Sequence, residues 1–180
     1  MRANVAGDKL VAVSDSRGGI YNADALNPKE LVTHKLKTGS VAGFPGARSI
    51  AREGVPELDV DILYPAALEN AINENNAEKT KARIVCGLAN GPTTPEADLI
   101  LYKKGTHVIP DVLASAGGVT LSYFEMVQDS YSFLWDEELV HARLDGVQEA
   151  IREKKVHPRL AAMVVAVARV AEGCKLRGWV

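Results

Sequence analysis

The chain has 180 residues, 47% of them hydrophobic and 24% charged, a balance that suits one globular domain with a real core and is too short for two ordinary ones. A formal net charge of -2 leaves no broad electropositive surface, which argues against a nucleic-acid partner. No run approaches the roughly 18 apolar residues of a membrane span, and the opening "MRANVAGDK" has no apolar stretch of the leader-peptide kind, so a cytoplasmic setting without a membrane partner is expected.

In chain order, "KLVAVSD" is a short apolar run ending in polar residues, and "SRGGIYN" supplies the glycines of a turn or brief excursion. "NPKELVTHKLKTG" predicts a helix with Asn27 as cap, Pro28 at the first helical position, Glu30 completing a capping box and Gly39 as the stop. "LDVDILYPAALE" predicts a strand ending at a proline, followed by "NAINENNAEKTKA", a polar helix or pair of turns. "RIVCGLANGPTTPEADLILYKKG" predicts a strand, a small-residue loop, a helix begun by Thr94 and Pro95, and a stop at Gly105. "THVIPDVLASAGG" predicts a fourth strand and a loop built on Gly117 and Gly118. The strands are apolar throughout rather than alternating, which points to one parallel sheet of four strands near 10–14, 60–64, 84–87 and 106–109 covered by helices, an α/β fold. Helices are expected from about Ala116 to Met126 and Asp136 to Lys154, and after His157-Pro158, where Leu160, Met163, Val164, Val167, Ala171 and Cys174 share a face. Between them Tyr131, Phe133 and Trp135 read as core or subunit contact.

Ligands of an open parallel sheet lie beyond the carboxyl ends of its strands. The four predicted ends are Ser14-Asp15-Ser16, Pro65-Ala66-Ala67, Ala89-Asn90-Gly91-Pro92 and Ala114-Ser115-Ala116-Gly117-Gly118. All are built from small residues with one or two hydrogen-bonding side chains, so a flat ligand can approach the backbone, and Asp15 is able to accept from a ribose hydroxyl. The plain alternative is a set of tight loops that let helices pack closely on a sheet. Other chemistry is poorly supplied: His34, His107, His141 and His157 are scattered without metal-ligand spacing, and Cys86 and Cys174 read as reduced core residues. Asp59 and Asp61 read as a solvated strand edge, and Glu137 and Glu138 as a helix first turn.

Taken together, "LVAVSDSRGGIYN", "GSVAGFPGA", "ELDVDILYPAALEN", "ANGPTTPEAD", "VIPDVLASAGGVTLSYFEMVQ", "FLWDEELVHARL" and "LRGWV" resemble the C-terminal part of the glutamate dehydrogenases, within the glutamate, leucine, phenylalanine and valine dehydrogenases. The resemblance covers nearly the whole sequence. It implies a truncated, Rossmann-like NAD(P)-binding domain over residues 1–180, with a divergent lead at 1–9, strand and helix units over 10–115 and a helical section over 116–180. The implied family reaction interconverts L-glutamate with 2-oxoglutarate and ammonia. By the same resemblance Asp15 faces the adenosine ribose, Ala66 and Ala67 line the coenzyme, Asn90 and Ser115 lie near the nicotinamide ribose and carboxamide, and Ser122 helps hold the substrate carboxylate. Asp15 favours NAD over NADP by repelling the extra phosphate, with Arg17 nearby as a counterweight.

The chain departs from the family pattern in having Ser115 in place of an Asn, and Gly87-Leu88 in place of a Glu-Gly pair. No G-x-G-x-x-G precedes "KLVAVSD", and the spaced glycines of "GSVAGFPGA" do not substitute for it. The resemblance therefore implies a segment without the first βα unit, whose helix N-terminus would receive the pyrophosphate, and without the catalytic lysine and aspartate of the substrate domain. No catalytic residue is assigned within the chain, and independent turnover is not expected. The alternatives are a non-catalytic binding or oligomerisation module, one part of a split enzyme completed by a complementary subunit, or an excised segment with no function of its own.

Overall fold

The computed structural model describes residues 8–152, 167–168 and 170–178. Its strands fall into two three-stranded sheets. β1 (Ala12–Asp15), β2 (Gly18–Tyr21) and β3 (Arg48–Ile50) form an antiparallel sheet in the order β1-β2-β3. β4 (Ile62–Leu63), β5 (Ile84–Cys86) and β6 (His107–Ile109) form a parallel sheet, with Leu63 opposite Val85 and Val85 opposite Val108.

This corrects the expectation of one four-stranded parallel sheet. The strand near 10–14 pairs backwards on its own continuation, Ala12 opposite Tyr21 and Asp15 opposite Gly18. The reason is local: the two residues between β1 and β2 make a hairpin, and Asp15 accepts the Arg17 N–H at 2.9 Å to close it. Gly19 then lets β3 approach, because a Cβ there would lie 3.0 Å from Ile50 Cγ1 and 3.2 Å from the Ile50 carbonyl oxygen. What reads as a glycine turn is therefore a strand.

Each sheet has its own core. Leu63, Ile72, Ala77, Ala82, Val85, Ala97, Leu101 and Val108 are buried around the parallel sheet, and Ile20, Leu26, Leu31, Val41 and Phe44 around the antiparallel one. The valine, leucine, isoleucine and phenylalanine side chains among them each stabilise by about 1.5–3 kcal/mol when fully buried. Val55, in a 3-10 helix over Arg52–Glu57, packs on the first cluster and also lies against Gly19, so it joins the two units.

Helix boundaries follow their caps. In α1 (Pro28–Thr38) the Asn27 side chain accepts from the Lys29 and Glu30 N–H groups and donates to Glu30 at 3.1 Å, while Gly39, at φ 78°, closes the C-terminus. In α2 (Pro95–Lys103) Thr94 accepts from the Ala97 N–H. The polar stretch before β5 contains only a 3-10 turn, Ala77–Lys79, braced by Asn73 and Asn76.

Gly117-Gly118, expected both in a loop after the fourth strand and in a helix from about Ala116, are helical. α3 (Asp111–Ala114) leads directly into α4 (Ala116–Tyr131), with the Ser115 N–H bonded to the Asp111 carbonyl at 2.8 Å and the Val119 N–H to the Ser115 carbonyl at 3.2 Å. Glycine costs a helix about 1 kcal/mol relative to alanine, and here the chain of bonds from α3 carries the backbone through it. α4 then packs on α5 (Glu137–Arg152): Phe124 is buried with its ring 5.4 Å from that of Trp135, and Arg143 lies 4.4 Å over the Trp135 ring. Tyr131 and Phe133 are exposed. Of the expected final apolar face, Leu160, Met163 and Val164, along with His157 and Pro158, lie outside the described residues; Val167 and Ala171 are exposed and Cys174 is part-buried. Among the described residues no helix is long and apolar enough to cross a membrane.

Candidate functional site

The carboxyl ends of β4 and β5 open into one cleft of about 480 Å³, lined by Ala66, Ala67, Leu68, Glu69, Leu88, Ala89 and Asn90. Parallel pairing brings these ends together, and the loops are then tied backbone to backbone. The Leu88 and Ala89 N–H groups donate to the Pro65 carbonyl at 3.1 and 3.0 Å, the Asn70 N–H to Gly91 at 2.9 Å, and the Ile72 N–H to Pro92 at 2.9 Å. The volume lies within the range of small-molecule pockets. Ala66, Ala67 and Asn90 are exposed at its wall, and Leu88, half exposed, joins Leu68 as an apolar rim.

Ser115 is tied to the loop after β5 through Asp111. Its N–H donates to the Asp111 carbonyl, and the Asp111 carboxylate accepts the Gly91 N–H at 3.0 Å, next to Asn90. The β6 end is thereby linked to the β5 end. Ser122 is exposed on α4, seven residues beyond Ser115; at 3.6 residues per turn the two lie roughly on one side of the helix, about 10 Å apart along its axis.

Asp15 stands apart from these residues, at the end of β1 in the antiparallel sheet. Its Oδ1 accepts from the Arg17 N–H at 2.9 Å and the Ser40 hydroxyl at 3.1 Å, its Oδ2 accepts from the Val41 N–H at 2.8 Å, and the Lys35 ammonium is 3.6 Å away. Burial pushes the carboxyl up, but the hydrogen bonds from Arg17, Val41 and Ser40 and the charge of Lys35 outweigh it and hold the pKa at about 2. A ribose hydroxyl approaching Asp15 has to share the carboxylate with these donors.

The sequence reading missed Leu68 and Glu69 as cleft residues and Asp111 as the tie between loops. The first two follow the singled-out Ala66-Ala67 directly in sequence; Asp111 had only a Pro-Asp step after a strand to mark it. The three histidines among the described residues have ordinary surroundings. The His34 ring meets the Ala42 carbonyl at 3.1 Å and the Phe44 ring edge-on, His141 pairs with Glu137 on α5, and His107 is exposed. Cys86 is part-buried, and burial pushes its thiol pKa up, away from the reactive thiolate.

Comparison with known proteins gives a consistent result. The family model described as Glutamate/Leucine/Phenylalanine/Valine dehydrogenase matches residues 2–178. The chain is 51% identical over 180 residues to a glutamate dehydrogenase of Thermotoga maritima, covering 96% of this chain and 43% of that protein. It is 42% identical to an NAD-specific glutamate dehydrogenase of Staphylococcus aureus, covering 96% and 44%. Among solved structures, the hetero-hexameric glutamate dehydrogenase of Thermus thermophilus in its Leu-bound form superposes with a TM-score of 0.82 at 33% identity, over 94% of this chain and 42% of that one. The glutamate dehydrogenase of Peptoniphilus asaccharolyticus gives 0.71 at 30%, over 97% and 42%. The chain thus spans less than half the length of these relatives. With nearly every residue inside the family match, the chain belongs to the Glutamate/Leucine/Phenylalanine/Valine dehydrogenase family.

Proposed function

We propose that these residues form the part of a glutamate dehydrogenase coenzyme domain that receives the nicotinamide end of NAD or NADP, and that the domain is completed by a strand and glycine-rich turn contributed from outside them. The observation that carries this reading is the divided sheet. Among the described strands, β1 pairs only with β2 and β4 only with β5, so each presents a free edge. A strand edge with unpaired N–H and C=O groups favours a further strand.

The cleft suits the nicotinamide end of such a coenzyme. Ala66 and Ala67 offer a wall without bulk, Leu68 and Leu88 an apolar rim, and Asn90 a polar group for the ribose; Ser115, outside the lining but tied through Asp111 to the Gly91 loop, is assigned to the carboxamide. At about 480 Å³ it holds a part of a dinucleotide rather than the whole. When bound, the coenzyme supplies a hydride acceptor for the substrate carbon. Ser122, further along α4, would help hold a glutamate carboxylate. NAD is slightly favoured through Asp15, although Arg17 and Lys35 near that carboxylate soften the preference. Turnover also needs the substrate carbon held against the nicotinamide and an acid–base group of tuned pKa, and these residues alone are expected not to turn over.

Titration of NAD into the isotopically labelled chain tests the placement. Resonances of Ala66, Ala67, Asn90 and Ser115 should move together; shifts confined to other surfaces, or no shifts at millimolar coenzyme, would contradict it. A second reading, an association module, draws on the apolar side chains that α4 and its following turn leave exposed: Val119, Tyr123, Met126, Tyr131, Phe133 and Leu134. Light scattering across a concentration range separates the two: a strictly monomeric chain removes the association module.

A further inference from the structure

We propose that Asp111 is a positioning residue that fixes Asn90 against the Ser115 turn. The loop over residues 88–92 is held from two sides. On the β4 side every tie named above is backbone to backbone, through Pro65, Asn70 and Ile72. On the β6 side a side chain does the work: the Asp111 carboxylate accepts the Gly91 N–H at 3.0 Å, across 20 residues of sequence. The same residue accepts the Ser115 N–H on its main-chain carbonyl at 2.8 Å. One residue therefore joins the backbone next to Asn90 to the backbone of Ser115.

The surrounding sequence is fitted to this crossing. Gly91 sits at φ 54°, in the left-handed region, a conformation most side chains resist. Gly87, buried at the end of β5, donates its N–H to the Ile109 carbonyl at 3.0 Å, and a Cβ on it would lie 3.0 Å from Pro92 Cγ and 3.1 Å from the Asp111 nitrogen. Glycine at 87 thus lets the two strand ends close to the distance at which the Asp111 carboxylate reaches Gly91.

The inference rests on the coenzyme reading for its consequence but not for its geometry, and the test reads the two separately. Amide hydrogen exchange of the full chain is compared for the native protein, Asp111→Ala and Asp111→Asn. We expect Gly91 to exchange at least ~10-fold faster in Asp111→Ala, with β5 and β6 amides unchanged and protection restored to within about three-fold in Asp111→Asn, which keeps an acceptor. Gly87→Ala should loosen Gly91 without touching the carboxylate. Unchanged Gly91 exchange in Asp111→Ala overturns the proposal. If that variant does not fold, the scalar coupling across the hydrogen bond from Gly91 nitrogen to the Asp111 carboxylate carbon in the native chain decides, and its absence overturns the proposal. The Asn90 side-chain amide is then followed during NAD titration: the midpoint should rise about tenfold in Asp111→Ala and recover in Asp111→Asn. A loosened Gly91 with an unmoved midpoint overturns the positioning role. A native chain silent to NAD overturns the coenzyme reading instead, with Gly91 exchange still deciding the tie.

Discussion

The Asp15 carboxylate accepts the Val41 N–H at 2.8 Å, joining the end of β1 to a loop 26 residues later. Through this bond and that from the Ser40 hydroxyl, one acidic side chain seats the 40–42 stretch, and with it the buried Val41, on the antiparallel sheet. Because the carboxyl is held at about 2, below its ordinary 3.8, it contributes stability above pH 4 that is lost as the pH falls toward 2. The shift sets an upper bound of about 2 kcal/mol, which solvent screening lowers to roughly 1 kcal/mol. We expect Asp15→Asn to lower stability at pH 7 by about that amount and to flatten the acid limb of the stability curve between pH 4 and 2, measured by urea unfolding at each pH. An unchanged acid limb would remove Asp15 as its source.

Gly19 and Ile50 define how closely β2 and β3 approach. A Cβ at Gly19 would meet Ile50 Cγ1 at 3.0 Å, the Ile50 carbonyl at 3.2 Å and Val55 Cγ2 at 3.3 Å. Gly19→Ala is expected to cost about 1–3 kcal/mol by overpacking, read as a lower urea midpoint at constant slope. Gly54, with nothing near its Cβ position, is the control, and its alanine variant should be close to neutral.

These two sites mark what the sequence could and could not disclose. Caps act locally, so Asn27, Pro28, Glu30, Thr94 and Gly39 announced α1 and α2 and held in the structure. The parallel strands β4 to β6 were legible because continuous apolar runs between small-residue loops have few alternatives. The β1 to β3 sheet was not, because its middle strand is Gly18-Gly19-Ile20-Tyr21, whose glycines look like a turn until Ile50 is seen packed on them. Ala116-Gly117-Gly118 carried two expectations, a loop and the start of a helix, and the bonds begun at Asp111 decide for the helix. In the cleft, Ala66, Ala67 and Asn90 were legible as small-residue strand ends, whereas the occupation of Asp15 by Ser40 and Val41 depends on contacts remote in sequence.

Lys104 caps the turn ahead of β5. Its ammonium donates to the carbonyls of Ala77 at 3.1 Å and Thr80 at 2.8 Å, and to that of Glu78. Charge-assisted bonds of this kind contribute about 1.5–3 kcal/mol where they are shielded from water; part of this set is exposed, so Lys104→Met should cost about 1–2 kcal/mol. Hydrogen exchange should show the loss concentrated in residues 77–80. A uniform loss across the chain would argue that Lys104 acts elsewhere.

The central proposal is that these residues supply part of a coenzyme site and do not turn over by themselves. Formation of NADH or NADPH by the purified chain, supplied with L-glutamate and either oxidised coenzyme, tests it most directly. We predict no sustained turnover above the protein-free rate with either coenzyme. Sustained turnover that is abolished by Ser122→Ala or Asn90→Ala would contradict the claim and place a complete active site within these residues.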